Sequence, residues 1–266
     1  MLPVNERLFP ILPVSAITAS IKIFKLNSHK EEIMWTVNKS DIEKLLAVVD
    51  YSEALTLHAG PKEAQAACED AKRYGFRAVV AFPWNLGIQV DAVKGSGVLA
   101  QIAVGFPCGN TTTKIKCLEA EEGLARGAAD LDMVMNLGAF KSGDYKKVSE
   151  DIRSVLAVAR PFNVPFKVII EVGILSDDEI VAASKLVKDA GADFVKTCTG
   201  FGPGRATNGI IELIRETIGP EMGIKASGGV ASIEDGIGLM KAGATVVAFR
   251  RHLVDKLEKI GWETRK

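Results

Sequence analysis

Two lysines and an aspartate occupy places where charge is costly. Lys196 lies in GADFVKTCTGFG (191–202), Lys225 in GIKASGGV (223–230) and Asp132 in LDMVMNLGAFKSGDY (131–145), each inside a short, otherwise apolar run. If such runs are strands, side chains alternate between two faces. Lys196 then shares a face with Phe194 and Cys198, and Lys225 with Gly223 and Ser227. Asp132 shares one with Asp130, Val134 and Asn136. Two lysines brought together repel, and that repulsion has a chemical use. An amine must be neutral to attack a carbonyl, and a neighbouring cation plus desolvation lowers its pKa from about 10.4 toward working pH. Each unit of depression corresponds to about 1.4 kcal/mol of differential stabilisation. One lysine would be a nucleophile, the other its tuning cation, and Asp132 a proton carrier. The bland alternative is a set of structural salt bridges. It suits Lys167 and Glu171 of FKVIIEVGILSDDEI (166–180), which share a face and can pair with neighbouring strands. It suits Lys196 and Lys225 less, because neither has an obvious private counter-ion in the sequence.

The elements that must position these groups alternate regularly. Eight short runs rich in β-branched residues occupy 47–50, 78–82, 102–106, 131–135, 166–170, 194–197, 223–227 and 245–249. Helical patterns fall between them at 61–74, 113–126, 145–160, 176–190, 208–218 and 233–242, with a short, weak one near 91–99. Gly75, Gly127, Gly191, Gly219 and Gly243 stand where left-handed C-caps are expected. Strand and helix alternation implies a parallel sheet wrapped by helices, and eight strands close a barrel. The fold class read from the sequence is therefore α/β, a single-domain (β/α)8 TIM barrel. Its functional groups belong at the carboxyl ends of the strands.

Size agrees, since 266 residues match the roughly 250 that one such barrel needs. Lysine plus arginine and aspartate plus glutamate each total 33, so net charge gives no footprint for nucleic acid or an anionic membrane. A small-molecule partner is expected instead, with a homo-oligomer left open. The four cysteines form no CxxC pair and match no histidine spacing, so they read as reduced thiols in a cytoplasmic protein. His29, His58 and His252 lie before the barrel or at loops and termini, which disfavours a metal site. The stretch 8–21 is apolar, but Pro10 and Pro13 interrupt it and it is too short to span a bilayer. Residues 1–33 read as an N-terminal extension and 34–266 as the barrel, with Ser40 or Asp41 capping the first helix.

The four long motifs quoted above, spread over a segment from about Ile42 to Phe249, resemble the deoxyribose-phosphate aldolases. The resemblance implies a class I aldolase that reversibly splits 2-deoxyribose 5-phosphate into acetaldehyde and glyceraldehyde 3-phosphate, without cofactor or metal. Position by position, it makes Lys196 the Schiff-base residue, Lys225 the cation that depresses its pKa and Asp132 the proton relay. Asp50, in VVDYSEAL (48–55), is similar to the aspartate of the family's first strand and would hold Lys225. Gly200, Gly228 and Gly229, after the sixth and seventh strands, would offer backbone N–H groups to a phosphate. The blander alternative is that they serve only tight turns.

One departure bears on the substrate. The family usually ends its eighth strand with a glycine-x-serine-serine turn, whereas this chain has Ala248-Phe249-Arg250-Arg251. Arg250 or Arg251 could replace that turn through a bidentate contact with an anion. Tyr51-Ser52 stands where histidine-threonine is usual, and Phe82 and Trp84 alter the second-strand motif. Two alternatives follow: a lysine-dependent aldolase with another aldehyde or an unphosphorylated substrate, and a non-catalytic anion-binding barrel.

Overall fold

A computed structural model of the chain describes residues 38–262. The expected extension at 1–33 lies outside the described residues. Eight parallel strands close a barrel in sequence order. They are β1 (Val49–Tyr51), β2 (Ala78–Ala81), β3 (Leu99–Val104), β4 (Asp130–Val134), β5 (Phe166–Ile169), β6 (Phe194–Lys196), β7 (Gly223–Ala226) and β8 (Val246–Phe249). The helices are α1 (Lys39–Leu46), α2 (Pro61–Tyr74), α3 (Leu86–Val93), α4 (Thr113–Ala125), α5 (Leu137–Lys141), α6 (Tyr145–Ala159), α7 (Asp177–Asp189), α8 (Asn208–Ile218), α9 (Ile233–Lys241) and α10 (Arg251–Lys259). The fold class expected from the sequence is the one observed.

Local chemistry explains the helix limits. Pro61 begins α2, where its missing N–H costs nothing, and Glu63 reaches back to the Gly60 N–H at 2.8 Å. Gly75 ends α2 in the left-handed conformation, φ +68°. Ser176 and Glu179 form a reciprocal cap at the start of α7, with bonds of 3.3 and 2.9 Å.

The structure departs from the sequence reading at several elements. Asn38, not Ser40 or Asp41, caps α1, its side chain accepting from the Asp41 N–H at 2.9 Å. The second barrel helix is Leu86–Val93 rather than 91–99, because a 3-10 turn at Pro83–Asn85 starts it early. β3 begins at Leu99 rather than 102, which places Gln101 inside the barrel. α5 was not foreseen; Asn136 caps it by accepting from the Ala139 N–H at 3.0 Å.

The alternation within strands divides the core in two. Leu131, Met133, Phe166, Val168 and Ile170 are fully buried in the large layer between strands and helices. Trimming one of them to alanine costs about 2–5 kcal/mol. Inside the barrel, Leu55, Val80 and Ala103 form a small apolar cluster with Phe82 and Phe106. The β4–β7 side of the interior carries charge instead. The seam is held by pairing of Asp50 with Ala248 and Tyr51 with Phe249.

Candidate active site

The charged groups on the barrel axis are ordered by strand register. Lys196 and Lys225 are Cα partners on β6 and β7, and Asp132 and Lys167 are partners on β4 and β5. One carboxylate oxygen of Asp132 accepts from both lysines, at 2.6 Å from Lys196 Nζ and 2.8 Å from Lys225 Nζ. Its other oxygen accepts from Gln101 Nε2 at 2.7 Å, and Gln101 Oε1 accepts from Lys225 at 3.1 Å. Lys225 also pairs with Asp50 Oδ2 at 2.5 Å. The sequence offered the lysines no private counter-ion; folding gives them a shared one, and gives Lys225 a second.

That sharing is unequal, and the two amines separate. Burial, together with the Lys225 charge, pulls the Lys196 amine down to about 8 against the attraction of Asp132. Burial also opposes the charge on Lys225, but Asp132, Asp50 and Asp130 outweigh it and hold its pKa above the ordinary lysine value. Asp132 is itself buried, yet Lys196, Lys225 and Lys167 hold its carboxyl far below the usual range. At pH 7 an amine of pKa 8 is neutral about a tenth of the time, against roughly one part in three thousand for an ordinary lysine.

Lys196 is 2% exposed and reaches a cavity of about 230 Å³ at the carboxyl ends of the strands. Lys225, Asp132 and Asp50 are fully buried beneath it and do not line it. Asp50 lies beneath the cavity and pairs with Lys225 rather than lining it. Gly200, Gly228, Gly229 and Arg250 line the cavity around Lys196. Arg250 places its guanidinium 6.0 Å from the Phe201 ring, and no carboxylate is bonded to it among the described residues. Arg251 is elsewhere. Its guanidinium pairs with Asp70 at 2.9 Å and Asp255 at 3.0 Å, so of the two arginines only Arg250 faces the cavity.

The glycines serve packing as well as access. Gly200, Gly228 and Gly229 all have positive φ. A Cβ at Gly228 would lie 2.8 Å from Cys198 Cβ, and one at Gly229 would lie 2.6 Å from Arg205 Cβ. Behind this loop stands Glu171, which the sequence reading left to a salt bridge with a neighbouring strand. It has a left-handed backbone, φ +55°, and its carboxylate accepts from the Thr199 N–H at 3.1 Å and the Thr199 hydroxyl at 2.5 Å. Gly202 leaves room for it, since a Cβ there would meet the carboxylate carbon at 2.8 Å. Thr199, Ser52, Ser227 and His252 also line the cavity; the sequence reading has Ser52 only as a departure from the family pattern, His252 only as an unlikely metal ligand, Ser227 only as a face-mate of Lys225, and Thr199 not at all. The signal available for them was a place within a few residues of a strand's carboxyl end, which marks a barrel mouth but not a role. Among the described residues, no group of three or more His, Cys, Asp or Glu side chains is arranged to hold a metal ion.

A buried lysine with a lowered pKa at the open end of a (β/α)8 barrel is the arrangement that carbonyl-handling enzymes working by imine formation need. Comparison with known proteins narrows the class. The model of the DeoC/LacD family aldolases matches residues 46–246. A deoxyribose-phosphate aldolase of Aciduliprofundum boonei is 40% identical over 222 residues, covering 83% of this chain and all of the relative. One from Clostridium perfringens is 43% identical over 205 residues, covering 77% of this chain and 91% of the relative. The solved structure of a tetrameric deoxyribose phosphate aldolase from Aeropyrum pernix superposes with a TM-score of 0.76 at 26% identity, covering 85% of this chain and 97% of that one. This chain belongs to the DeoC/LacD aldolase family, and it is a lyase.

Proposed function

We propose that Lys196 is the Schiff-base lysine of a class I aldolase that cleaves 2-deoxyribose 5-phosphate reversibly to acetaldehyde and glyceraldehyde 3-phosphate. The observation that carries this reading is the position of Lys196: of the axial charges tied to Asp132, it alone lines the cavity, and its amine has a pKa of about 8. In the cleavage direction the neutral amine attacks the aldehyde carbon of the open-chain sugar, and loss of water gives an iminium. The hydroxyl proton on C3 then leaves, the C2–C3 bond breaks, and its electron pair flows into the iminium to give an enamine. Glyceraldehyde 3-phosphate departs. Protonation of the enamine carbon and hydrolysis release acetaldehyde and restore the amine.

Asp132 is hydrogen-bonded to the Lys196 amine, where it can receive the proton shed during addition and return it to the departing hydroxyl through water. Its depressed pKa suits brief proton carriage and steady charge stabilisation better than storage of a proton. Lys225 remains charged and keeps Asp132 ionised. The phosphate is held by N–H groups of the loops at Gly200, Gly228 and Gly229, with the Arg250 guanidinium in place of the missing serine turn. The subunits associate as a homo-oligomer, in line with the tetrameric relative; light scattering on the purified chain checks this.

Incubation with acetaldehyde and borohydride should leave a reduced two-carbon adduct on Lys196. Cleavage of 2-deoxyribose 5-phosphate should proceed undiminished with chelator present. An adduct on another residue, or turnover that stops with chelator, refutes the assignment. The Ala248-Phe249-Arg250-Arg251 stretch favours one second reading, an aldolase with the same imine chemistry and a different acceptor aldehyde. Equal activity on phosphorylated and plain 2-deoxyribose would select it.

A further inference from the structure

The ion pairs beneath Lys196 continue to the opposite mouth of the barrel and close on themselves. Arg77, the residue before β2, donates one nitrogen to Asp50 Oδ1 and the other to Asp130 Oδ2, the latter at 2.5 Å. From Asp50 the path runs to Lys225 at 2.5 Å and on to Asp132 at 2.8 Å. From Asp130 it runs to Lys167 and then, at 3.7 Å, to Asp132 Oδ1. Arg77, Asp50, Lys225, Asp132, Lys167 and Asp130 thus form a ring in which three cations alternate with three carboxylates. Lys196 hangs from this ring at Asp132 as a fourth cation.

We infer that Arg77 is a positioning residue for the reaction: by completing the ring from the far mouth, it leaves Lys196 as the surplus charge whose proton is the easiest to release. The inference rests on the Schiff-base role proposed for Lys196. Its physical basis is charge count in a buried interior. Apart from Arg77 and Lys196, every side chain in the set is fully buried, so charges several ångströms apart interact more strongly than in water. With Arg77 present the ring is neutral without Lys196. Without Arg77, protonated Lys196 would make up the missing positive charge and hold its proton more tightly.

The other groups facing the ring do not substitute for Arg77. Gln101 on β3 is neutral, and β2 and β8 contribute no titratable side chain. At the far mouth Arg77 borders a cavity of about 650 Å³ with Lys188, Asp193 and Glu221. Lys188 donates to the Ile218 carbonyl at 2.8 Å, and Asp193 is engaged by Arg160 and the Phe166 N–H. Toward the open end, Glu171 is occupied by Thr199.

The test is the pH dependence of Lys196 acetylation by acetic anhydride on the full chain, read by peptide mass mapping, with acetaldehyde and borohydride trapping in parallel. The wild-type midpoint is expected near 8. Arg77→Met should raise it by about one pH unit and slow trapping at pH 7 about tenfold. Turnover of Arg77→Met well above its midpoint should match wild type, which a merely damaged barrel would not do. Arg77→Lys should restore the wild-type midpoint, and Asp130→Asn, which removes a negative charge, should lower it. A midpoint that stays put in Arg77→Met and Asp130→Asn, or moves the same way in both, overturns the inference. If Arg77→Met does not fold by circular dichroism, the direction of the Asp130→Asn shift decides. An acetaldehyde adduct on a residue other than Lys196 defeats the proposed function, whereas the acetylation midpoints still judge the ring.

Discussion

The two halves of the barrel interior solve opposite problems. Below Lys196, charges are buried and paired with one another, so most have more than one counter-ion. Above it, the cavity is bordered by glycine loops and by Arg250, which no carboxylate engages among the described residues. Under the proposed function, the lower half would set the chemical state of one amine and the upper half would select what that amine meets. A change below should therefore alter proton affinity, and a change above should alter substrate affinity.

Lys196→Met breaks the comparison at its junction and should have the largest effect. Turnover should fall by about 10⁴-fold or more, measured as release of acetaldehyde. Stability should move the other way. The Lys196 amine titrates near 8 in the folded protein and near 10.5 unfolded, so between those values the unfolded chain binds more protons and stability rises with pH. Below about 8 the full penalty is present, on the order of 3 kcal/mol. At pH 7 the methionine variant, whose Asp132 keeps Lys225 and Gln101 as partners, should melt at a higher temperature than wild type.

Lys225→Met tests the lower half directly. It strips a cation from Asp132 and Asp50, so the Lys196 midpoint should rise and kcat/KM at pH 7 should fall about 10²–10³-fold. A change in KM with the pH profile intact would contradict the division of roles. Stability should drop by about 3–5 kcal/mol, because two buried carboxylates lose a partner.

Arg250→Ala probes the upper half. KM for 2-deoxyribose 5-phosphate should rise about tenfold to a hundredfold, the worth of one charge-assisted contact, while activity on plain 2-deoxyribose and the pH midpoint stay put. Glu171→Gln sharpens the boundary, because the carboxylate secures the loop through Thr199 without lining the cavity. A several-fold rise in KM with unchanged borohydride trapping is expected. Arg251→Ala should do least. Its guanidinium is about half exposed, so stability should change by at most about 1 kcal/mol in urea titration and activity not at all.

The barrel was legible because strand and helix periods alternate so regularly that the closed eight-stranded sheet follows from the count. The inward placement of Asp132, Lys196 and Lys225 was legible for a related reason, since period-two alternation decides faces without tertiary information. What could not be read was partnership. Arg77 lies 53 positions from Asp130 in sequence, and nothing local links them. Gln101 was missed because β3 starts three residues earlier than its most β-branched stretch suggests. Arg250 and Arg251 look alike in sequence, and only the turn into α10 sends one to the cavity and the other toward α2.

The seam between β1 and β8 has a consequence for synthesis. Glu53 accepts from the Arg251 N–H at 2.9 Å across a separation of 198 residues, beside the pairing of Tyr51 with Phe249. As the chain leaves the ribosome, β1 already carries Asp50 but must wait for β8 before its open edge is covered. Throughout elongation that edge is a template for pairing with other nascent chains. Slow translation, or truncation before β8, would expose it longest.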